Sequence, residues 1–451
     1  MSACAGDESA PEARPATDSV PEETVPAPPP PPATVVRVVD GDTGKPLRRA
    51  RVVVRGQRYV ASRGVAELGV RRRPFRVSVA AKGYVPRTVR LDFRKRLLRR
   101  VQIWRRSSQW PMYGANAART QVHSGIRLRP PFRVVWKRDL GSLLEFPAVV
   151  WEGVAYVNNM YGTLRALSMK NGHVLWKTRV GSLMASSPTI DPKRRVLVTT
   201  SMSPGNVSVV AMDTGRVKWR FSTGRAEPSP VIREGVAYFG AANGNVYALD
   251  LDRRRPRWIF RGGVKITSSP ALVGKRLYVG DYAGRVFALS ARTGRVVWRG
   301  SAGSRVYGTV AVAGGRVFAP SVFSGMSALS ARSGRLLWRL PVGAYLYSSP
   351  AFYRGRVYFG TYGGRVYCVS ARSGRILWSR SSGRVSGAVQ VVAGVVYAAS
   401  LEHRTTAWRW RTGRKLWTFP AGKYVPISGN GSRLLVHGAR KIWAVEPKRH
   451  R

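Results

Sequence analysis

Side chains with nucleophilic, metal-ligating or proton-transferring chemistry are sparse in this 451-residue chain, which has two cysteines, five histidines and 22 acids. Cys4 and Cys368 stand far apart, in neither a C-x-x-C nor a His-rich spacing, so they signal no disulfide framework, redox couple or zinc site. His123, His173, His403, His437 and His450 are scattered singly, the usual pattern of surface or core filling. What the chain has in quantity is basic and aromatic: 77 Lys and Arg, a formal net charge of +55, 14 Trp, 18 Tyr and 13 Phe. The chemistry these support is binding, through guanidinium groups for anions and rings for apolar partners. Met1 to Thr34 holds six acids against Arg14 alone, so the positive charge lies on the rest of the chain. Arginine is spread along that whole length, as a genome-wide composition bias would also produce. No nucleic-acid motif accompanies it, and no specific nucleic-acid partner is expected.

The elements that would position these groups change character along the chain. The start MSACAG resembles the end of a bacterial lipoprotein signal, with Cys4 as the lipid-modified residue, although the apolar stretch that should precede it is missing. Residues 1–34, with APPPPPA near their end, are too polar and proline-rich to fold, and predict a disordered spacer. From Val35 come short alternating runs, VVRVVD, ARVVVRG, GVAEL, FRVSVAA and RTVRLDF, which predict a small antiparallel β-sandwich over 35–104. DGDTGKPLRRARVVV, SRGVAEL and AAKGYVP resemble a carboxypeptidase regulatory-like domain, whose implied marks are the turn Asp40 to Gly44 and the strand end Gly83–Tyr84. Such domains are structural spacers.

Beyond a lead-in at 105–126, tryptophan recurs at Trp136, Trp176, Trp219, Trp258, Trp298, Trp338, Trp378 and Trp417, at intervals of 39 to 43. A fixed period near forty marks an array of supersecondary units. Each period runs Gly, Ser-Pro, an apolar strand, a Gly turn, a strand such as RLYVGD, another Gly turn, a strand such as RVFALS, a Thr-Gly or Ser-Gly turn, and the Trp strand. Four strands per period predict a propeller blade. The first Trp strand, FRVVWKRD, precedes all the others, and the last three strands, ending in KIWAVEP, lack one. The N-terminal strand should therefore complete the last blade. The expected fold is all-β: an eight-bladed β-propeller over 127–447, ahead of a basic tail at 448–451 and preceded by the sandwich and the disordered tail.

The motif A-L-x-A-x-T/S-G-x-x-x-W, carried best by Ala288 to Trp298 and Ala328 to Trp338, resembles the quinoprotein-type repeat of pyrroloquinoline-quinone-binding-like propellers. WPMYGANAART, Trp110 to Thr120, is similar to the lead-in of such propellers, and Cys368 stands where Ala is usual, as a buried small residue. The catalytic members of that family carry long insertions, a quinone with calcium, a catalytic Asp and often a vicinal cysteine pair. This chain has none of the insertions and no adjacent cysteines. The acids expected near the channel mouth, Glu145 and Glu227, are too few for a calcium cage. No enzyme activity and no cofactor are expected. The resemblance implies instead the non-catalytic members, best known from the propeller lipoprotein of the outer-membrane protein assembly machinery: a monomeric, extracytoplasmic scaffold at the cell envelope that binds proteins or peptides. A sensor or module binding anionic wall polymers or lipid headgroups is the alternative.

Strand order assigns surfaces to these alternatives. With blade strands labelled A to D outward from the axis, the D–A loops and B–C turns share one face. There fall Tyr307, Tyr345, Tyr347 and Tyr424 around the channel mouth, with Tyr161, Tyr282, Phe323 and Tyr362 on hairpin tips, as candidate partner-binding rings. The opposite face collects Arg216, Arg295, Arg335, Arg375 and Arg414 after the C–D turns, and Arg276, Arg316 and Arg356 at the A–B turns, as candidate anion-binding residues.

Overall fold

The computed structural model describes residues 33–69, 73–94 and 96–448; Cys4 and His450 lie outside them. Its first two sheets share one core. Gln57–Ala61, Ala50–Val54, Phe75–Ala80 and Arg87–Leu91 form an antiparallel sheet in that order, and Val65–Glu67, Val35–Asp40 and Leu98–Ile103 form the other. Alternation buries Val36, Val38, Val52, Val54, Val77 and Val79 between them, with Phe93 and Ile103. The second sheet is mixed, which the antiparallel expectation missed: Val35–Asp40 runs parallel to Leu98–Ile103. Parallel pairing needs a long crossover, and the chain makes one by visiting the other sheet in between. The turn and strand end singled out in the sequence meet here. Asp40 accepts the backbone N–H groups of Asp42 and Thr43 at 2.9 and 3.0 Å and the Tyr84 hydroxyl at 2.7 Å.

Eight further sheets form an eight-bladed β-propeller. Ala271–Val273, Arg276–Gly280, Arg285–Ser290 and Val296–Ser301, the fourth blade, show the pattern of all: a short inner strand, two buried middle strands and a half-exposed outer one. Cores lie between blades, as where Val198, Val207 and Val209 of the second pack against Ala237, Phe239 and Leu249 of the third. In each blade a bulge falls opposite the Trp, at Ala288/Leu289 facing Trp298 and at Cys368/Val369 facing Trp378. Cys368 is fully buried there.

The tryptophan clasps the next blade. The indole N–H of Trp136, Trp176, Trp258, Trp298, Trp338 and Trp378 donates to the carbonyls of Met169, Met212, Ala291, Ala331, Ala371 and Trp410, all at 2.9 to 3.1 Å. Each ring also covers a turn glycine of that neighbour. Gly374 (φ +77) has so little room that an added Cβ would lie 2.8 Å from Trp338. Trp219 meets a different turn, where Arg254 (φ +58) replaces the glycine, and Trp417 packs edge-on to Phe132 at 5.2 Å.

The ring closes as the sequence predicts. Phe132–Asp139 pairs antiparallel with Lys441–Pro447, and Trp136 stands opposite Ala444 as Trp298 stands opposite Ala288. Nearer the axis the recurrent Ser-Pro acquires a reason. The backbone N–H of Ser187, Ser229, Ser269 and Thr309 donates to the hydroxyl of Ser229, Ser269, Thr309 and Ser349 in the following blade, at 2.9, 2.9, 3.2 and 2.9 Å.

The lead-in fills the channel that this belt surrounds. Carbonyls of Trp110, Pro111, Ala117, Ala118, Thr120 and Gln121 accept N–H groups from the inner strands of six blades, at Val150, Ile190, Leu272, Val312, Phe352 and Val391. Arg119, fully buried, donates to the carbonyls of Tyr113, Ser229, Pro230 and Pro270. Five N–H donors in a rigid fork suit four carbonyls converging on the axis.

Candidate aromatic mouth of the propeller

The D–A loops leave the outer strand of one blade and return to the axis at the next, so their side chains crowd around the channel, while B–C tips surround them. Six of the eight rings expected on this face form one continuous array. Tyr282 lies 6.4 Å from Tyr307, Tyr307 lies 5.4 Å from Tyr347, and Tyr347 lies 5.8 Å from Tyr362; Tyr345 touches Tyr347 at 6.1 Å and Phe323 at 5.5 Å. Phe323 and Tyr345 are 61% and 50% exposed, whereas Tyr307 and Tyr347 are half-buried, so the array has an open rim and a sunken inner wall. Tyr424, in the loop from the seventh blade to the eighth, joins the inner wall. Tyr161, on the first blade's hairpin tip, stands outside the array.

Inside the rim is a cavity of about 370 Å³, walled by Tyr307, Tyr347, Tyr362 and Tyr424 and floored by the lead-in. Tyr113 makes the floor, its hydroxyl donating to Ser349 Oγ at 3.0 Å and its ring edge-on to Phe146 at 5.1 Å. The sequence gives no sign of Tyr113, because the Gly- and Ala-rich lead-in has no strand alternation to say which side chains face inward.

Two carboxylates enter this cavity. Glu227 is paired with Lys265 at 3.3 Å and Arg225 at 3.5 Å. Glu145 has no such partner among the described residues. Burial first, and the Glu227 charge second, push its carboxyl up to about 7. The other cations of the rim are also engaged: Arg384 with Glu402 at 2.7 Å, Arg305 over Tyr282 and Phe323 at 5.3 and 5.4 Å, and Lys423 over Tyr424 at 5.7 Å; Lys265, besides its pair with Glu227, lies over Tyr282 at 4.9 Å.

The opposite face divides the candidate arginines. Arg216, Arg295, Arg335, Arg375 and Arg414 follow their turns and are exposed. The A–B residues are half-buried and bonded: Arg276 donates to the carbonyls of Ala331 and Arg332 at 2.9 and 3.0 Å, Arg356 to Arg411 at 2.8 Å, and Arg316 to Gly314 at 3.0 Å. They fasten turns, two of them across to the next blade. A cavity of about 550 Å³ also opens on this side beside Pro111 and Met112; of its two acids, Asp191 and Glu234, the first is already bonded to Arg194 at 3.0 Å.

The family described as outer membrane protein assembly factor BamB matches residues 132–260 and 242–449, the whole of the ring. Outer membrane protein assembly factor BamB of Yersinia pestis is 30% identical over 146 residues, which is 28% of this chain and 36% of that protein, so the match spans about a third of its length. Among solved structures, BamB from Moraxella catarrhalis is similar at a TM-score of 0.61 and 16% identity, covering 71% of this chain and 99% of that one. Quinohemoprotein alcohol dehydrogenase from Comamonas testosteroni is similar at a TM-score of 0.66 and 13% identity, covering 76% and 82%. These two likenesses concern the fold.

Proposed function

Since its repeats are matched from 132 to 449, the chain belongs to the family of the outer membrane protein assembly factor BamB, and on that premise we propose that it is a non-catalytic, extracytoplasmic scaffold that holds envelope proteins or peptides at its aromatic mouth. The observation that carries this reading is the continuous array of rings from Tyr282 to Tyr362 with Phe323 and Tyr345 open to solvent. Rings held in place by one another bring apolar area at low entropic cost, and burial is worth about 25 cal/mol per Å². Lipid attachment at Cys4 belongs to the same reading.

A quinone with calcium, the cofactor of the dehydrogenases on this fold, does not fit the residues present. Calcium takes 6–8 oxygen ligands. The cavity offers two carboxylates, one already bound to Lys265 and Arg225, and its floor is the chain's own lead-in.

Changing Phe323 and Tyr345 to Ser in the full chain should abolish cross-linking to envelope partners in cells while the thermal midpoint holds, because neither ring lies between blades. Trp298→Ala, which opens an inter-blade contact, is the control for loss through unfolding. The five exposed turn arginines favour a second reading, as a binder of anionic polymers or headgroups. If binding survives the ring changes but falls with salt and with Arg295, Arg335 and Arg375 changed to Gln, that second reading replaces the first.

A further inference from the structure

We infer that the cavity beneath the rim is a receptor for one organic cation, the ammonium or guanidinium of a lysine or arginine side chain carried by an extended partner. The inference rests on the mouth being the binding face and adds what the mouth reads.

Size comes first. At about 370 Å³ the cavity is near the lower end of ligand pockets, roughly 300–1,000 Å³. It is blind, because Tyr113 and the lead-in close its floor, so it suits the end of one side chain and not a threaded chain. Its walls are the second point. Three D–A loops and the sixth blade's hairpin tip each put a tyrosine on the wall, and a cation taken out of water is attracted to tyrosine faces.

Charge decides the sign of the ligand. A carboxylate set among rings is costly unless it is paired. Glu227 has its cations, and the other cations of the rim are engaged as well: Arg384 by Glu402, Arg305 over Tyr282 and Phe323, and Lys423 over Tyr424. Glu145 alone is left facing the cavity without one. An anionic ligand would meet both acids. A bare metal ion would find too few ligands, since no group of three or more His, Cys, Asp or Glu is assembled among the described residues. A side-chain cation needs only one carboxylate and the rings, and both are present.

Protons should report the event. Glu145 faces Glu227, Tyr307 and Tyr424 across the cavity, and at neutral pH it is poised between its two forms. A bound cation favours the ionised form, so binding should release a proton near pH 6.5 and tighten as pH rises from 6 to 8.

The test is calorimetric titration of the full chain with acetyl-Gly-Gly-Lys-Gly-Gly-amide and its Arg, norleucine and Glu counterparts, in buffers of differing ionisation enthalpy. The Lys or Arg probe should bind at least about tenfold tighter than norleucine, with proton release, and Glu145→Gln should remove both the preference and the proton. The melting curve of that variant keeps loss of fold apart from loss of site. Norleucine binding as well as Lys, a preferred Glu probe, or Lys binding untouched in Glu145→Gln would each overturn the inference. Failure of the scaffold reading is separate: it shows as partner cross-linking that ignores the Phe323 and Tyr345 changes, whatever the probes do.

Discussion

Glu145 makes the folded chain sensitive to pH even without a ligand. Its carboxyl rises from 4.5 in an ordinary setting to about 7 in the fold, burial contributing most and Glu227 next. A raised carboxyl binds its proton more tightly when folded, so the stability it contributes is complete below pH 4.5 and is lost as pH climbs through 7. Glu145→Gln, which cannot ionise, should therefore melt at a higher temperature than the parent at pH 8 and at nearly the same temperature at pH 4. Equal shifts at both values would show that the substitution acts through packing. Asp42, raised to about 6 chiefly by burial, titrates with the same sign, but it is common to both proteins and cancels in the comparison. That Glu145 and Glu227 lie near the mouth is legible from strand order. Which of them has a counterion is not, because Lys265 reaches Glu227 from another blade's loop, thirty-eight positions along the chain.

The contact between a blade's tryptophan and the next blade's turn can be probed from either side. Trp378 is buried, donates to the Trp410 carbonyl at 3.1 Å and covers Gly413, whose φ of +68 and added Cβ at 2.8 Å from the ring leave no room for a side chain. Trp378→Ala should cost about 3–5 kcal/mol through the cavity it leaves. Gly413→Ala should also destabilise, by strain and by pushing the ring outward, and the double variant should lose less than the sum in denaturant unfolding, since the alanine then meets an empty space. Strict additivity would mean that the two residues do not act on one contact. These elements are legible because forty-residue periodicity repeats the Ala, Gly and Trp in register, so one physical reading serves for most of the blades. The lead-in lacks that redundancy. WPMYGANAART occurs once, has neither strand alternation nor helical period, and bonds to six blades whose contributions are spaced along the chain. Arg276 and Arg356 likewise look like turn charges in sequence, and only the neighbouring blade's carbonyls show them as fasteners.

At the scale of the molecule, closure and charge oppose each other. The ring is fastened by Phe132–Asp139 on Lys441–Pro447, by the Trp clasps and by the axial lead-in, all within a chain of net charge +55. With 77 basic residues and 22 acids, most arginines have no carboxylate to pair with, so exposed guanidiniums repel one another across every blade. Ion pairs such as Arg440–Asp139 at 2.9 Å and Arg433–Glu446 at 3.5 Å, which touch the closing blade, are partly exposed and worth little singly. Repulsion is therefore the larger electrostatic contribution, and salt that screens both should stabilise the fold. The thermal midpoint should climb steeply as NaCl goes from about 10 mM to about 150 mM, where the Debye length falls from roughly 30 Å to roughly 8 Å, and flatten above that. A general solute effect would instead grow steadily with concentration. A midpoint that falls over the low-salt range would mean that the few ion pairs, and not the unpaired arginines, govern the stability of the ring.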